Sequence, residues 1–77
     1  MATYNGHKNW NHWNVSLWLN NEDPAVWREM VHFTQYAKNR TEAAKMMLAW
    51  LKEFKGTHTP DGAPYSVTTI KAAMRGI

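Results

Sequence analysis

N-W-N-H-W-N-V-S-L-W-L, residues 9–19, carries the strongest fold signal in this 77-residue chain. It holds Trp10, Trp13 and Trp18, three of the five tryptophans, with Val15, Leu17 and Leu19 between them. Burying one tryptophan removes roughly 150–250 Å² from water, about 4–6 kcal/mol at ~25 cal/mol/Å² before entropy is counted. The three rings are therefore expected in the core. Trp10, Trp13 and Leu17 recur at i, i+3, i+7, which predicts a helix capped by Asn9 or Asn11 and running to about Asn20. The run Val15-Ser16-Leu17-Trp18-Leu19 also alternates as a strand would.

Beyond this stretch the chain punctuates itself. Upstream, residues 1–8 read as an irregular arm with a turn signal at Asn5-Gly6. Downstream, Asp23-Pro24 is an N-cap followed by proline at the first helical position, and it starts a second helix reaching about Ala37. Val26, Met30, Phe33 and Ala37 form its inner stripe, with Trp27 and Val31 beside them. Thr41 is read as the cap of a third helix, with Glu42 well placed against its dipole. That helix places Ala44, Met47, Leu48, Leu51 and Phe54 on one face and closes at Lys55-Gly56. The loop Thr57-His58-Thr59-Pro60-Asp61-Gly62-Ala63-Pro64-Tyr65 has a type I turn signature at Pro60-Asp61-Gly62. Ser66 then caps a fourth helix with Val67, Ile70, Met74 and Ile77 facing inward. The expectation is an all-α fold: one compact domain over residues 1–77, of about four helices with a helix-turn-helix-like C-terminal half.

Composition narrows the class. The chain has no cysteine, which excludes disulfides and thiolate metal sites and fits a reducing cytoplasm. No apolar run approaches the ~20 residues of a membrane span, and the N-terminus lacks a secretory h-region. Residues 1–37 set two cations against three carboxylates, a balance of −1, while residues 38–77 set seven against three, a balance of +4. A basic half beside a mildly acidic one is the electrostatic footprint of a nucleic-acid binder, and equally of a solvated basic surface.

The outer face of the last helix is the most informative surface. Thr68, Lys71, Ala72 and Arg75 stand at i, i+3, i+4, i+7, away from the inner stripe. Arginine can pair bidentately with guanine, lysine can meet phosphate, and threonine and alanine methyls can touch a thymine methyl. An ordinary solvated helix face carries the same mix. Lys45, Lys52 and Lys55 share one side of the third helix and are the matching candidates for phosphate contact.

The run Thr59-Pro60-Asp61-Gly62-Ala63-Pro64-Tyr65-Ser66-Val67-Thr68-Thr69-Ile70 resembles a motif in the recombinase domain of large serine recombinases, where it opens a helix of helix-turn-helix type. Thr59, Pro60, Gly62, Tyr65, Ser66, Thr69 and Ile70 match, whereas Met74-Arg75-Gly76 replaces the Leu-Arg-Asn close of the motif. The resemblance implies a DNA-binding-like element and no recombination, since a catalytic domain does not fit this length. Tyr4-Asn5-Gly6, followed by Trp13-Asn14-Val15-Ser16-Leu17-Trp18-Leu19-Asn20-Asn21 and by the C-terminal Thr59-Pro60-Asp61-Gly62, is similar to a family of small uncharacterised phage- and plasmid-borne proteins. That likeness implies an accessory protein that works by binding, in transcription control or in blocking a host defence nuclease as anti-CRISPR proteins do.

Enzyme chemistry finds no footing. His7, His12, His32 and His58 lack the spacing of a zinc site, and Ser16 and Ser66 lack a base arrangement. Glu22-Asp23 reads as a helix start. Six asparagines between residues 5 and 21 read as caps and turns. No enzyme activity, cofactor, metal or small-molecule substrate is expected. Two functions of different class remain: a small DNA-binding protein acting through its basic C-terminal half, or an inhibitor that binds a host nucleic-acid-binding defence protein.

Overall fold

Local capping chemistry fixes the helix starts in the computed structural model, which describes residues 6–75. Asn5 of the expected turn and Ile77 of the expected inner stripe lie outside those residues. Helix α1 spans Trp10–Leu17, and Asn9 caps it by accepting from the His12 amide at 3.0 Å. The chain then widens into a π-helical turn, Trp18–Glu22. Asp23 caps α2, Pro24–Tyr36, by accepting from the amides of Ala25 and Val26. Asn39 caps α3, Arg40–Phe54, through the Glu42 amide at 2.9 Å. The expected cap, Thr41, stands one residue inside the helix.

Ser66 caps α4, Val67–Ala73, in a reciprocal box with Thr69: the Thr69 amide donates to Ser66 Oγ at 3.1 Å, and the Ser66 amide donates to Thr69 Oγ1 at 3.0 Å. No strand occurs among the described residues. The fold is all-α.

Helices α2 and α3 pack on each other, α4 packs against both α1 and α3, and the π turn packs against α2. Val15, Leu19, Val26, Met30, Ala43, Ala44, Met47, Leu51, Ala63, Ile70, Ala73 and Met74 form one core cluster. The radius of gyration, 11.4 Å, matches the ~11–12 Å of a single domain this size. Helices α3 and α4 pack as a pair across the connection of residues 55–66, which is much longer than the three- or four-residue turn of a DNA-binding helix-turn-helix.

The core corrects the tryptophan expectation. Trp10 is 36% exposed, and Trp13 and Trp18 are only half-buried. The inner face of α1 is His12 and Val15, together with Asn14, and Leu19 continues it in the π turn. Apolar residues surround α1 on most sides, so periodicity alone does not choose its inner face. Packing against α4 and the π turn does, and it admits medium side chains where an indole would need a larger interior. Phe54, expected on the inner face of α3, is 63% exposed, because that face is Ala43, Ala44, Met47 and Leu51.

The loop after α3 is tied to α1 by a polar network that explains both sequence motifs. Gly56, at φ 114°, ends α3 with its amide on the Leu51 carbonyl at 2.7 Å. The turn Thr59–Gly62 closes through the Gly62 amide on the Thr59 carbonyl at 2.9 Å. Asn14, 1% exposed, donates from Nδ2 to Asp61 Oδ2 at 2.8 Å, and its Oδ1 accepts from the Thr59 hydroxyl at 2.5 Å. Trp18 Nε1 donates to the same Asp61 oxygen at 2.9 Å, and the Ala63 amide donates to Thr59 Oγ1 at 3.0 Å. Two residues beyond Trp18, Asn20 donates to the Ala73 carbonyl at 3.0 Å, satisfying an orphan acceptor at the end of α4. Thr59-Pro60-Asp61-Gly62 and Trp13–Asn21 are thus two halves of one clamp.

A candidate nucleic-acid interface

Where α4 crosses the starts of α1 and α3, three separate stretches of chain deliver positive charge to one place. α4 contributes Lys71, with Thr68 and Ala72 beside it, and the turn that follows the helix contributes Arg75, which the sequence had placed on the helix face itself. The first turn of α3 contributes Arg40 and Thr41, and the segment before α1 contributes Lys8. Together they line a groove of about 490 Å³. Lys8, Arg40, Lys71 and Arg75 are all exposed, and no carboxylate lines the groove among the described residues. Two ion pairs join described residues, Lys45 with Glu42 at 3.2 Å and Lys55 with Asp23 at 3.3 Å, and neither involves a groove cation.

His12 completes the lining from α1. Burial first, then the charges of Lys8, Arg75 and His7, hold its imidazole below the usual histidine value of 6.5. Four cations gathered with no carboxylate among the described lining residues attract anions, and the Thr41 and Thr68 hydroxyls are neutral donors at the same wall. Chemically, the groove is suited to phosphate.

The seven expected site residues therefore separate. Thr68, Lys71, Ala72 and Arg75 come together in the groove, whereas Lys45, Lys52 and Lys55 do not line it. Lys55 instead borders a second cleft of about 280 Å³, whose walls include Trp18, Val26, Pro60 and Tyr65. There the Asp23–Lys55 pair closes one side, and burial together with the Asp23 charge pushes the Tyr65 hydroxyl up. Lys8, Arg40 and His12 were not singled out from the sequence, because they lie far apart along the chain and no short-range pattern links them to α4.

Among the described residues, no group of three His, Cys, Asp or Glu stands close enough to hold a metal ion. No helix there is long and apolar enough to cross a membrane. Asp61, which accepts from Asn14 and Trp18, serves the loop clamp. Hydrogen bonds from Asn14 and then Trp18 hold its carboxyl below the ordinary 3.8.

A family model described as a family of unknown function (DUF7249) matches residues 1–77. The chain belongs to that family. No curated protein and no solved structure matches the chain. The clamp residues and the groove residues alike fall within the matched span, so the family model covers both the scaffold and the candidate site.

Proposed function

We propose that this chain is a small non-enzymatic nucleic-acid-binding protein that holds phosphates in the groove between α4 and the starts of α1 and α3. One observation carries the reading: Lys8, Arg40, Lys71 and Arg75 converge from three stretches of chain with no carboxylate among the described lining residues. Like charges gathered at one place repel one another and weaken the fold slightly, so the arrangement is best accounted for by an anionic partner. A concave groove suits the sugar–phosphate backbone of a strand, with Val67 and Ala72 offering small apolar contacts beside the cations. The proposal gives Lys8 and Arg40 the backbone contacts that the sequence suggested for Lys45, Lys52 and Lys55.

A phage- or plasmid-borne setting and work in the host cytoplasm belong to the same proposal. They rest on the likeness of residues 4–6, 13–21 and 59–62 to small accessory proteins of mobile elements. The recombinase-like run supports the reading only through α4, since Thr59 and Asp61 are engaged with α1.

A second reading, an inhibitor that docks on a host defence protein, draws on the exposed apolar side chains. Trp27, Tyr36, Met46 and Phe54 are 41%, 73%, 42% and 63% exposed. Exposed large apolar groups favour a protein partner where they adjoin.

Fluorescence anisotropy on duplex and single-stranded DNA at several salt concentrations tests the proposal. Four neutralised phosphates give a log K against log[salt] slope of about −3 to −4. Lys71→Ala is expected to flatten it by about one unit, while Lys52→Ala leaves it unchanged because Lys52 does not line the groove. Binding weaker than about millimolar at low salt on both DNA forms would overturn the proposal and leave the inhibitor reading in its place.

A further inference from the structure

Phosphate steering by lysine and arginine does not require a histidine, yet the groove has one in its wall. His12 stands in the first turn of α1 and is 8% exposed. Its Nδ1 is shielded from water and has no hydrogen-bond partner among the described residues. A buried polar atom left unpaired is costly, and native structures keep few of them. The unpaired nitrogen therefore asks what the ring is for.

The charges facing His12 come from every side of the groove. His7 and Lys8 approach from the segment before α1, Arg40 from the start of α3, Lys71 from α4 and Arg75 from the turn after it. None of the described lining residues is acidic. This field disfavours an imidazolium in the free protein. An anion seated among the same cations reverses the field, and it offers an acceptor to a ring that then carries two N–H donors.

We propose that this wall of the groove is a phosphate seat in which His12 is itself a ligand, taking one proton from solvent as the phosphate enters. The proposal rests on the nucleic-acid reading for the source of the phosphate, and its chemistry is common to two sources, a terminal phosphate monoester of a strand and an interior phosphodiester. Proton uptake on binding makes affinity rise as pH falls, by about tenfold for each unit that the imidazole's titration midpoint rises in the complex. In this way the groove senses acidity through one buried side chain.

The test is a titration of the wild-type protein's histidine ring resonances by nuclear magnetic resonance between about pH 5 and pH 8. It is run alone and with three probes: inorganic phosphate, a 5′-hydroxyl oligonucleotide, and the same oligonucleotide with a 5′-phosphate. The His12 midpoint is expected to rise with the oligonucleotides. A larger rise with the 5′-phosphate assigns the seat to a strand end, and an equal rise assigns it to interior phosphates. Binding assays on His12→Asn give a second readout. This variant is expected to lose the pH dependence of affinity and to bind about tenfold more weakly than wild type at the acid end. If that substitution unfolds the protein, the wild-type titration decides alone.

If the oligonucleotides bind, and Lys71→Ala weakens them, while the His12 midpoint stays fixed, the seat is refuted and the nucleic-acid reading stands. If inorganic phosphate moves the midpoint while neither oligonucleotide binds, the seat stands and the nucleic-acid reading fails. A midpoint unmoved by all three probes, with no binding detected, refutes both.

Discussion

Replacing Asn14 by alanine cuts the tie between α1 and the loop that precedes α4, and the structure gives the size of the effect. Asn14 is 1% exposed, and its amide joins the Thr59 hydroxyl at 2.5 Å to the Asp61 carboxylate at 2.8 Å. In Asn14→Ala the Thr59 hydroxyl, on a residue 4% exposed, loses its acceptor while still receiving the Ala63 amide. A buried polar group left without a partner costs about 1–3 kcal/mol. The lost side-chain atoms leave a small void beside Thr59, which adds about 1 kcal/mol. The expected loss is therefore about 2–4 kcal/mol. A chain of 77 residues has roughly 4–12 kcal/mol in total, so the variant should be visibly marginal.

Urea unfolding followed by tryptophan fluorescence measures it, with Trp18 a direct reporter because its Nε1 donates to Asp61. A cycle with Thr59→Val should show a coupling of about 1–2 kcal/mol, since each change removes the same hydrogen bond. A loss under about 1 kcal/mol for Asn14→Ala, or additive effects in the cycle, would refute the clamp as the tie between the two motifs.

Three further outcomes follow from the same structure. Met47→Ala is expected to cost about 2–5 kcal/mol in urea unfolding, because Met47 is fully buried, whereas Phe54→Ser at a 63% exposed site should cost less than about 1 kcal/mol. Ser66→Ala removes one half of the capping box and should cost about 1 kcal/mol by the same assay. Thermal melts across pH report His12. Its imidazole binds a proton at 6.5 in the unfolded chain and only at lower pH in the folded one, so between those values the unfolded chain holds more protons. Stability is then complete above 6.5 and declines as pH falls from there towards the folded value, and His12→Asn should flatten that part of the curve.

The helix starts were legible because each depends on two or three neighbouring residues. Asp23-Pro24 and Ser66 with Thr69 are capping signals that no tertiary contact needs to complete. The α3 cap shows how narrow the margin is. Asn39 and Thr41 are both good caps two positions apart, and the sequence offered no reason to prefer the earlier one. In α1 the difficulty was an excess of signal. Trp10, Trp13, Leu17 and Trp18 advertise one face and His12, Val15 and Leu19 another, and both satisfy helical spacing.

What the sequence determined by itself was the all-α class, the four helices, and the nearness of Thr68, Lys71, Ala72 and Arg75, the last of which stands in the turn after α4. These are properties of spacing and charge over a dozen residues at most. Only the tertiary structure decided which apolar face of α1 is buried, since that depends on α4, packed against it from elsewhere in the chain. It alone decided that Asp61 accepts from Asn14, 47 residues away, so that a loop motif became part of the scaffold. The groove is of the same kind. Lys8 and Arg40 meet Lys71 and Arg75 because α1, α3 and α4 pack together, and an electrostatic field is summed over space, which a one-dimensional reading of charge does not contain.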